Sequence, residues 1–141
     1  GFWFVCGRDD DLINRNGVKY DPILIEGALR SFFGDIKVTD AVAVGIPNEK
    51  LGERLVCFVT VDERSSVTSA ILEELRRHVG KTYDPSGKPD AIHVLRALPT
   101  TLSAKVPRKK YVQAYLGETP ADASSYANGD VFTDIAKLDA Q

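Results

Sequence analysis

At 141 residues the chain is of single-domain size, and 43% hydrophobic with 27% charged residues is the balance of a globular domain with a sizeable buried core. No apolar run approaches the roughly 18 residues of a membrane-spanning helix, which excludes a membrane span from the expected architecture. The formal charge of −2 divides into five acids and one lysine in residues 117–141 and 17 bases against 15 acids before them, and neither part has the basic excess of a nucleic-acid-binding surface.

Cys6 and Cys57 fall in separate strand-like runs, and with His78 and His93 they offer no short ligand spacing. No metal site and no disulfide framework is expected, and an intracellular, cytoplasmic setting is. The chain has no methionine and begins at Gly1, directly before the bulky run Phe2-Trp3-Phe4-Val5-Cys6, so it is expected to be a piece of a longer protein.

After that run, Gly7-Arg8-Asp9-Asp10-Asp11 reads as a turn or hinge with solvated acids. Extended pieces on either side of Asn16-Gly17 predict a small hairpin, because Asn-Gly tolerates the positive φ of a tight turn. Asp21-Pro22 starts a helix, with the aspartate as N-cap and proline where a missing N–H costs nothing. Its apolar face is Leu24, Ile25, Ala28, Leu29 and Phe32, and its end is expected near Gly34. Residues 38–46 alternate Val42, Val44 and Ile46 against Ala41, Ala43 and Gly45, a strand with a large and a small face. Residues 47–52 form a loop, and residues 55–61, apolar on both faces, a central strand. A helix capped within residues 65–69 buries Ile71, Leu72, Leu75 and Val79, carries a Glu73–Arg77 pair on its wet face and stops at Gly80. Residues 81–89 read as a loop, and 91–98 as a strand holding His93 in a paired, structural role. Pro107 starts a last helix, with Tyr111, Val112, Tyr115 and Leu116 on one face and Gly117 at its end. Residues 119–130 have the composition of a linker, and 131–138 of a short strand or helical turn. The expected fold is α+β: a small mixed sheet with packed helices, preceded by a β-hairpin. The expected division is a domain over residues 1–116 and an acidic linker or tail over 117–141, with room for a short ordered segment.

Between the last strand and helix lies Leu98-Pro99-Thr100-Thr101-Leu102-Ser103-Ala104-Lys105-Val106-Pro107-Arg108. Lys105 is the one cation within the loop itself, and a lysine on a short ordered loop delivers a full charge to a developing anion. By itself the stretch reads as a solvated basic helix start or a weak polyanion patch, in preference to a catalytic loop.

Four segments in order resemble one family. Residues 7–14, Gly-Arg-Asp-Asp-Asp-Leu-Ile-Asn, are similar to a hinge motif, and Gly17-Val18-Lys19-Tyr20-Asp21-Pro22 through Glu26 to its continuation. Residues 40–49 with Leu51-Gly52-Glu53 resemble a further block, and residues 98–108 a catalytic-lysine motif. The family is the C-terminal mobile domain of the adenylate-forming superfamily: acyl- and aryl-coenzyme A synthetases, peptide-synthetase adenylation domains and beetle luciferases.

The resemblance implies a large N-terminal adenylating domain as partner, which binds most of the ATP, the magnesium and a carboxylic acid, with coenzyme A as co-substrate. It puts Lys105 between the attacking carboxylate and the α-phosphate, Asp10 at the hinge, Arg8 and Lys19 at nucleotide-binding positions, and Gly17 on the loop lining the thiol's path. Glu26 and Glu53 also match motif positions, where structural pairing is expected. Two positions depart from the pattern: Ala104 stands where the family has glycine before the lysine, and Lys19 where arginine is commoner. The function implied is that of a lid in an ATP-dependent acyl-CoA ligase, inactive as an isolated fragment. A peptide-synthetase subdomain serving a carrier protein, a non-catalytic module of the same fold and a polyanion-binding domain are the other readings.

Overall fold

The computed structural model describes residues 12–32, 34, 36–50, 52–62, 66–103 and 105–138. Strands β1 (Ile13–Arg15) and β2 (Val18–Tyr20) form the expected hairpin. Its two turn residues both have positive φ, 56° at Asn16 and 80° at Gly17, which is why Asn-Gly occupies them. Helix α1 (Pro22–Arg30) begins as predicted, with the Asp21 carboxylate accepting from Ile23 N at 2.9 Å. It ends before Gly34, because Ser31 N–H donates to the Gly27 and Ala28 carbonyls and Ser31 Oγ to Ala28 O at 2.7 Å. Those bonds satisfy the last carbonyls of the helix, and Phe32 then folds into the core.

Strands β3 (Val38–Asn48) and β4 (Gly52–Val61) are longer than the sequence pattern implied and pair antiparallel along their whole length, Asn48 facing Gly52. The loop foreseen over residues 47–52 is therefore shorter. β5 (Ala91–Val94) adds parallel to β4, so the five-stranded sheet is mixed, with β1, β3 and β5 all pairing with β4. β4 is central and buried on both faces, as its unbroken apolar run required.

The alternation in β3 sorts the core. Ala41 and Ala43, with Leu55, Cys57 and Val59 of β4, face helices α1 and α2 (Ser69–Thr82). Val42, Val44 and Ile46, with Val56 and Phe58, face α3 (Arg108–Tyr115) and α4 (Val131–Leu138). α2 is capped by Thr68, whose hydroxyl accepts from Ile71 N at 3.3 Å. It runs through Gly80 to Thr82, past the expected stop, since Tyr83 N closes the final turn on Val79 O. Gly80 lies inside the helix and not at its cap, and a Cβ there would meet the flexible Lys88 side chain, 2.7 Å from Cε. Glu73 pairs with Arg76 at 2.7 Å in place of Arg77, because Arg76 Nε is also drawn to Pro89 O at 2.7 Å.

Residues 117–138, acidic and linker-like by composition, fold onto the second core. Val131, Phe132 and Ile135 are fully buried, and a bridge between Thr100 and Ala127 ties the segment to the chain before α3. Its acids answer bases of the main body: Asp130 and Asp134 lie 2.7 and 3.0 Å from Arg96, and Asp122 lies 3.3 Å from Lys110. Leu116, expected on the buried face of α3, is half exposed, and Ala114 takes the buried place.

His93 has the structural role expected of it. Its ring stacks on Phe58 with centroids 5.9 Å apart, and Nε2 pairs with Tyr115 Oη at 3.1 Å. Burial, and then the charge of Arg54, hold its pKa below the ordinary 6.5. The unfolded chain therefore binds a proton that the folded one refuses, so this contribution is lost as pH falls below about 6.5. Urea midpoints should drop between pH 7.5 and pH 5 more in the native chain than in His93→Gln; equal drops would remove His93 as the cause. Phe132→Ala should cost about 3–5 kcal/mol in the same assay, the penalty of a buried aromatic cavity, whereas a surface tail would lose next to nothing.

Candidate functional site

The residues after β5 are anchored before they become a loop. Leu95 and Leu98 are buried in the second core, and the Pro99 carbonyl accepts from Tyr111 Oη at 2.7 Å. Burial pushes the Tyr111 phenol well up, so it stays protonated as that donor. Thr100 exchanges two backbone hydrogen bonds with Ala127, at 3.1 and 2.8 Å. The next five residues close on themselves: Thr101 N donates to Lys105 O at 2.8 Å, and Lys105 N donates to Thr101 Oγ1 at 3.0 Å. Thr101 Oγ1 also lies 3.1 Å from Ser103 Oγ.

The backbone of Lys105 is thus pinned while its side chain is exposed, and no ion pair to it occurs among the described residues. Leu102, at the tip of the same loop, is 85% exposed. Ala104 lies outside the described residues, as do Arg8 and Asp10.

Past the loop, Arg108 enters α3 and reaches back over the sheet edge. Its Nη2 lies 2.8 Å from both oxygens of Glu26, and Glu26 Oε2 also accepts from Ala43 N at 2.9 Å. Glu26 and Arg108 side chains are only 6% and 15% exposed. Burial raises the Glu26 pKa, and Arg108 and the Ala43 N–H oppose that shift. The pairing expected of Glu26 is present, and its partner is the residue that ends the lysine motif. A cleft of about 260 Å³ opens beside it, with Glu53, Arg108 and Lys109 on its walls and Val44 and Val112 below; Lys105 is not part of its lining.

Gly17 and Lys19 lie apart from this loop, on the hairpin at the opposite end of the strand order from β3. A Cβ at Gly17 would meet nothing within 4 Å among the described residues, where only its positive φ asks for glycine. Lys19 is exposed on β2. Glu53 is structurally paired, its Oε1 accepting from Asn14 N at 2.7 Å. Sequence reasoning did not find Thr101 or Tyr111 as supports of the loop, nor the link from Arg15 to Asp90 at 2.9 Å. Thr101 had a signal, a hydroxyl four residues before Lys105; a pair 75 residues apart had none.

The family of AMP-binding enzyme C-terminal domains matches residues 34–105. The chain is 31% identical over 133 residues to acetyl-coenzyme A synthetase of Cronobacter sakazakii, an alignment covering 93% of this chain and 20% of that protein. The structure of Brucella canis acyl-CoA synthetase matches with a TM-score of 0.66 at 32% identity, over 74% of this chain and 19% of that one. Acetoacetyl-CoA synthetase from Streptomyces lividans shares the fold with a TM-score of 0.77 at 21% identity, over 95% of this chain and 20% of that one. The chain spans about a fifth of the length of the relatives it matches.

Removing the Glu26 carboxylate strands a buried guanidinium and a strand-edge N–H together. Glu26→Ala should lower unfolding free energy by about 3–5 kcal/mol, and Glu26→Gln, which keeps an acceptor for Ala43, by less. Equal unfolding midpoints for Glu26→Ala and the native chain would show that the pair supports nothing.

Proposed function

Since the chain belongs to the family of AMP-binding enzyme C-terminal domains, we propose that it is the mobile lid of an ATP-dependent acyl-coenzyme A synthetase, with Lys105 as the cation of the adenylation step. The observation that carries this reading is the contrast at Lys105: a backbone closed by two hydrogen bonds to Thr101, and an exposed side chain. Such a group is free to meet an anion outside the chain, and the family motif that the loop resembles supports a carboxylate and a phosphate.

In the first step a carboxylate oxygen attacks the α-phosphorus of ATP, forming the acyl–phosphate bond as the bond to pyrophosphate breaks. Two anions must approach, and an ammonium set between them offsets the charge that concentrates in the transition state. The pinned backbone lowers the cost of ordering, since only side-chain rotamers remain to be fixed on closure. In the second step the thiol of coenzyme A, having given up its proton, attacks the acyl carbon and AMP departs. Rotation about Asp10 withdraws Lys105 and brings forward the hairpin turn at Gly17, where a glycine leaves room for the thiol's path. Arg8 and Lys19 act near the nucleotide.

Among the described residues no group of three or more His, Cys, Asp or Glu side chains could hold a metal. ATP, magnesium and the acid would sit mainly in an N-terminal domain. The names of the relatives, acetyl- and acyl-CoA synthetase, support coenzyme A over a carrier protein as acceptor. No helix among the described residues is long and apolar enough to cross a membrane.

In the full-length synthetase, Lys105→Ala should slow acyl-adenylate formation about 100- to 1,000-fold, the scale for loss of one transition-state charge contact. Thioester formation from supplied acyl-adenylate and coenzyme A should stay within a few-fold of the parent. Equal loss in both half-reactions would remove Lys105 from the role, and ATP-dependent ligation by this chain alone would overturn the lid reading.

A further inference from the structure

The hairpin that carries Gly17 is too small to hold its own position. Each strand has three residues, and among the described residues the only Cα pairing from β1 to the main sheet is Arg15 with Gly52. An isolated hairpin of this size is not stable in water. Its base is fixed by apolar burial, through Ile13 and Tyr20, which face each other and are 1% and 4% exposed. Its tip has no such anchor: Asn16, Gly17, Val18 and Lys19 are all exposed.

What holds the tip is charge. Arg15, the last strand residue before the turn, places Nη2 2.9 Å from Asp90 Oδ1 and donates from Nη1 to Ser86 O at 3.2 Å. The other Asp90 oxygen accepts from Leu55 N at 2.8 Å, and Asp90 N donates to Leu55 O at 2.7 Å. Asp90 is therefore locked to the central strand on one side and grips the hairpin on the other. Both side chains are mostly buried, 23% exposed at Arg15 and 20% at Asp90, so solvent screens the pair little. Glu53 adds a second grip one residue earlier, at Asn14 N.

We infer that Asp90, acting through Arg15, is a positioning residue for the thiol-transfer half-reaction, holding the Gly17 turn as a rigid extension of the sheet. The inference rests on the reading of Gly17 as part of the thiol's path. Asp90 touches neither substrate nor the turn; its effect passes through Arg15. The Lys105 loop hangs from other supports, Thr101, Tyr111 and the Glu26–Arg108 pair, so loss of the Asp90 grip leaves the adenylation face as it was.

Two measurements test it. Amide exchange on this chain reads the clamp alone: Asp90→Ala should speed exchange at residues 15–18 while the amides of β3 and β4 other than Leu55, whose N–H donates to Asp90 itself, keep their protection, and unchanged exchange at the turn would overturn the clamp. In the full-length synthetase, Arg15→Ala and Asp90→Ala should each slow thioester formation from supplied acyl-adenylate by about ten- to hundred-fold, as misplaced catalytic elements do. Adenylation should stay within about two-fold, and the double variant should be no slower than the worse single one, since both remove one link. Equal loss of both half-reactions, or multiplied losses in the double variant, would overturn the positioning role. A looser turn with undiminished thioester formation would keep the clamp and remove Gly17 from the thiol's path, overturning the inference through its premise.

Discussion

Glu26 is where the two helical layers meet. It sits on α1, against one face of the sheet, and its carboxylate reaches strand β3, at the sheet edge among the described residues, where it accepts from the Ala43 N–H. From the opposite face Arg108 comes round that edge to the same carboxylate. The tie costs desolvation of two charges, and the upward shift of the Glu26 pKa shows that burial outweighs the donors at that group. Such a pair is a poor source of stability compared with apolar packing, but breaking it is expensive. Its effect is geometric: it covers part of an eleven-residue edge strand and fixes the first residue of α3, three positions after Lys105.

The second core shows why the Lys105 loop can be short and still ordered. Tyr111 packs its ring on Phe58 and Phe132, with centroids 5.6 Å from each, and spends its hydroxyl on the Pro99 carbonyl. One side chain thus joins the apolar core to the backbone that launches the loop. Phe132 belongs to α4, so a segment that looks like a tail by composition supplies part of the foundation under Lys105. The acids that made it look like a tail are the ones that pair with Arg96 and Lys110.

What the sequence made legible follows a pattern of range. The Asn16-Gly17 turn, the Asp21 cap with Pro22, the large and small faces of β3 and the two-sided burial of β4 all depend on residues a few positions apart, and all are present. Glu26 could be read as paired, but its partner 82 residues on could not be named. Residues 119–130 read as a linker because only Pro120, Ala123, Tyr126, Ala127 and Gly129 turn inward, while the rest, mostly polar, are exposed. Gly80 was misread because a glycine near the end of an apolar stripe need not be the cap, and the helix runs two residues further, to Thr82, before Tyr83 N closes it on Val79 O. The end of α1 moved because a serine hydroxyl closed it sooner than the next glycine would have.

The two functional elements differ in the kind of restraint they receive. The Lys105 loop is closed locally, by Thr101 four residues away, so its shape survives as long as that short segment does. The Gly17 turn is held by Asp90 from 75 residues away, and its position is only as firm as the packing of β5 against β4. The proposed lid, presenting first one face and then the other, would have to turn as a body, because any slack between its elements would misalign the second face. Placing both restraints on β4, through Leu55 for the hairpin and through Phe58 and Tyr111 for the loop, makes the central strand the common frame. The hairpin lies next to the proposed hinge position in sequence, and it is there that buried charge does what a three-residue strand pair cannot.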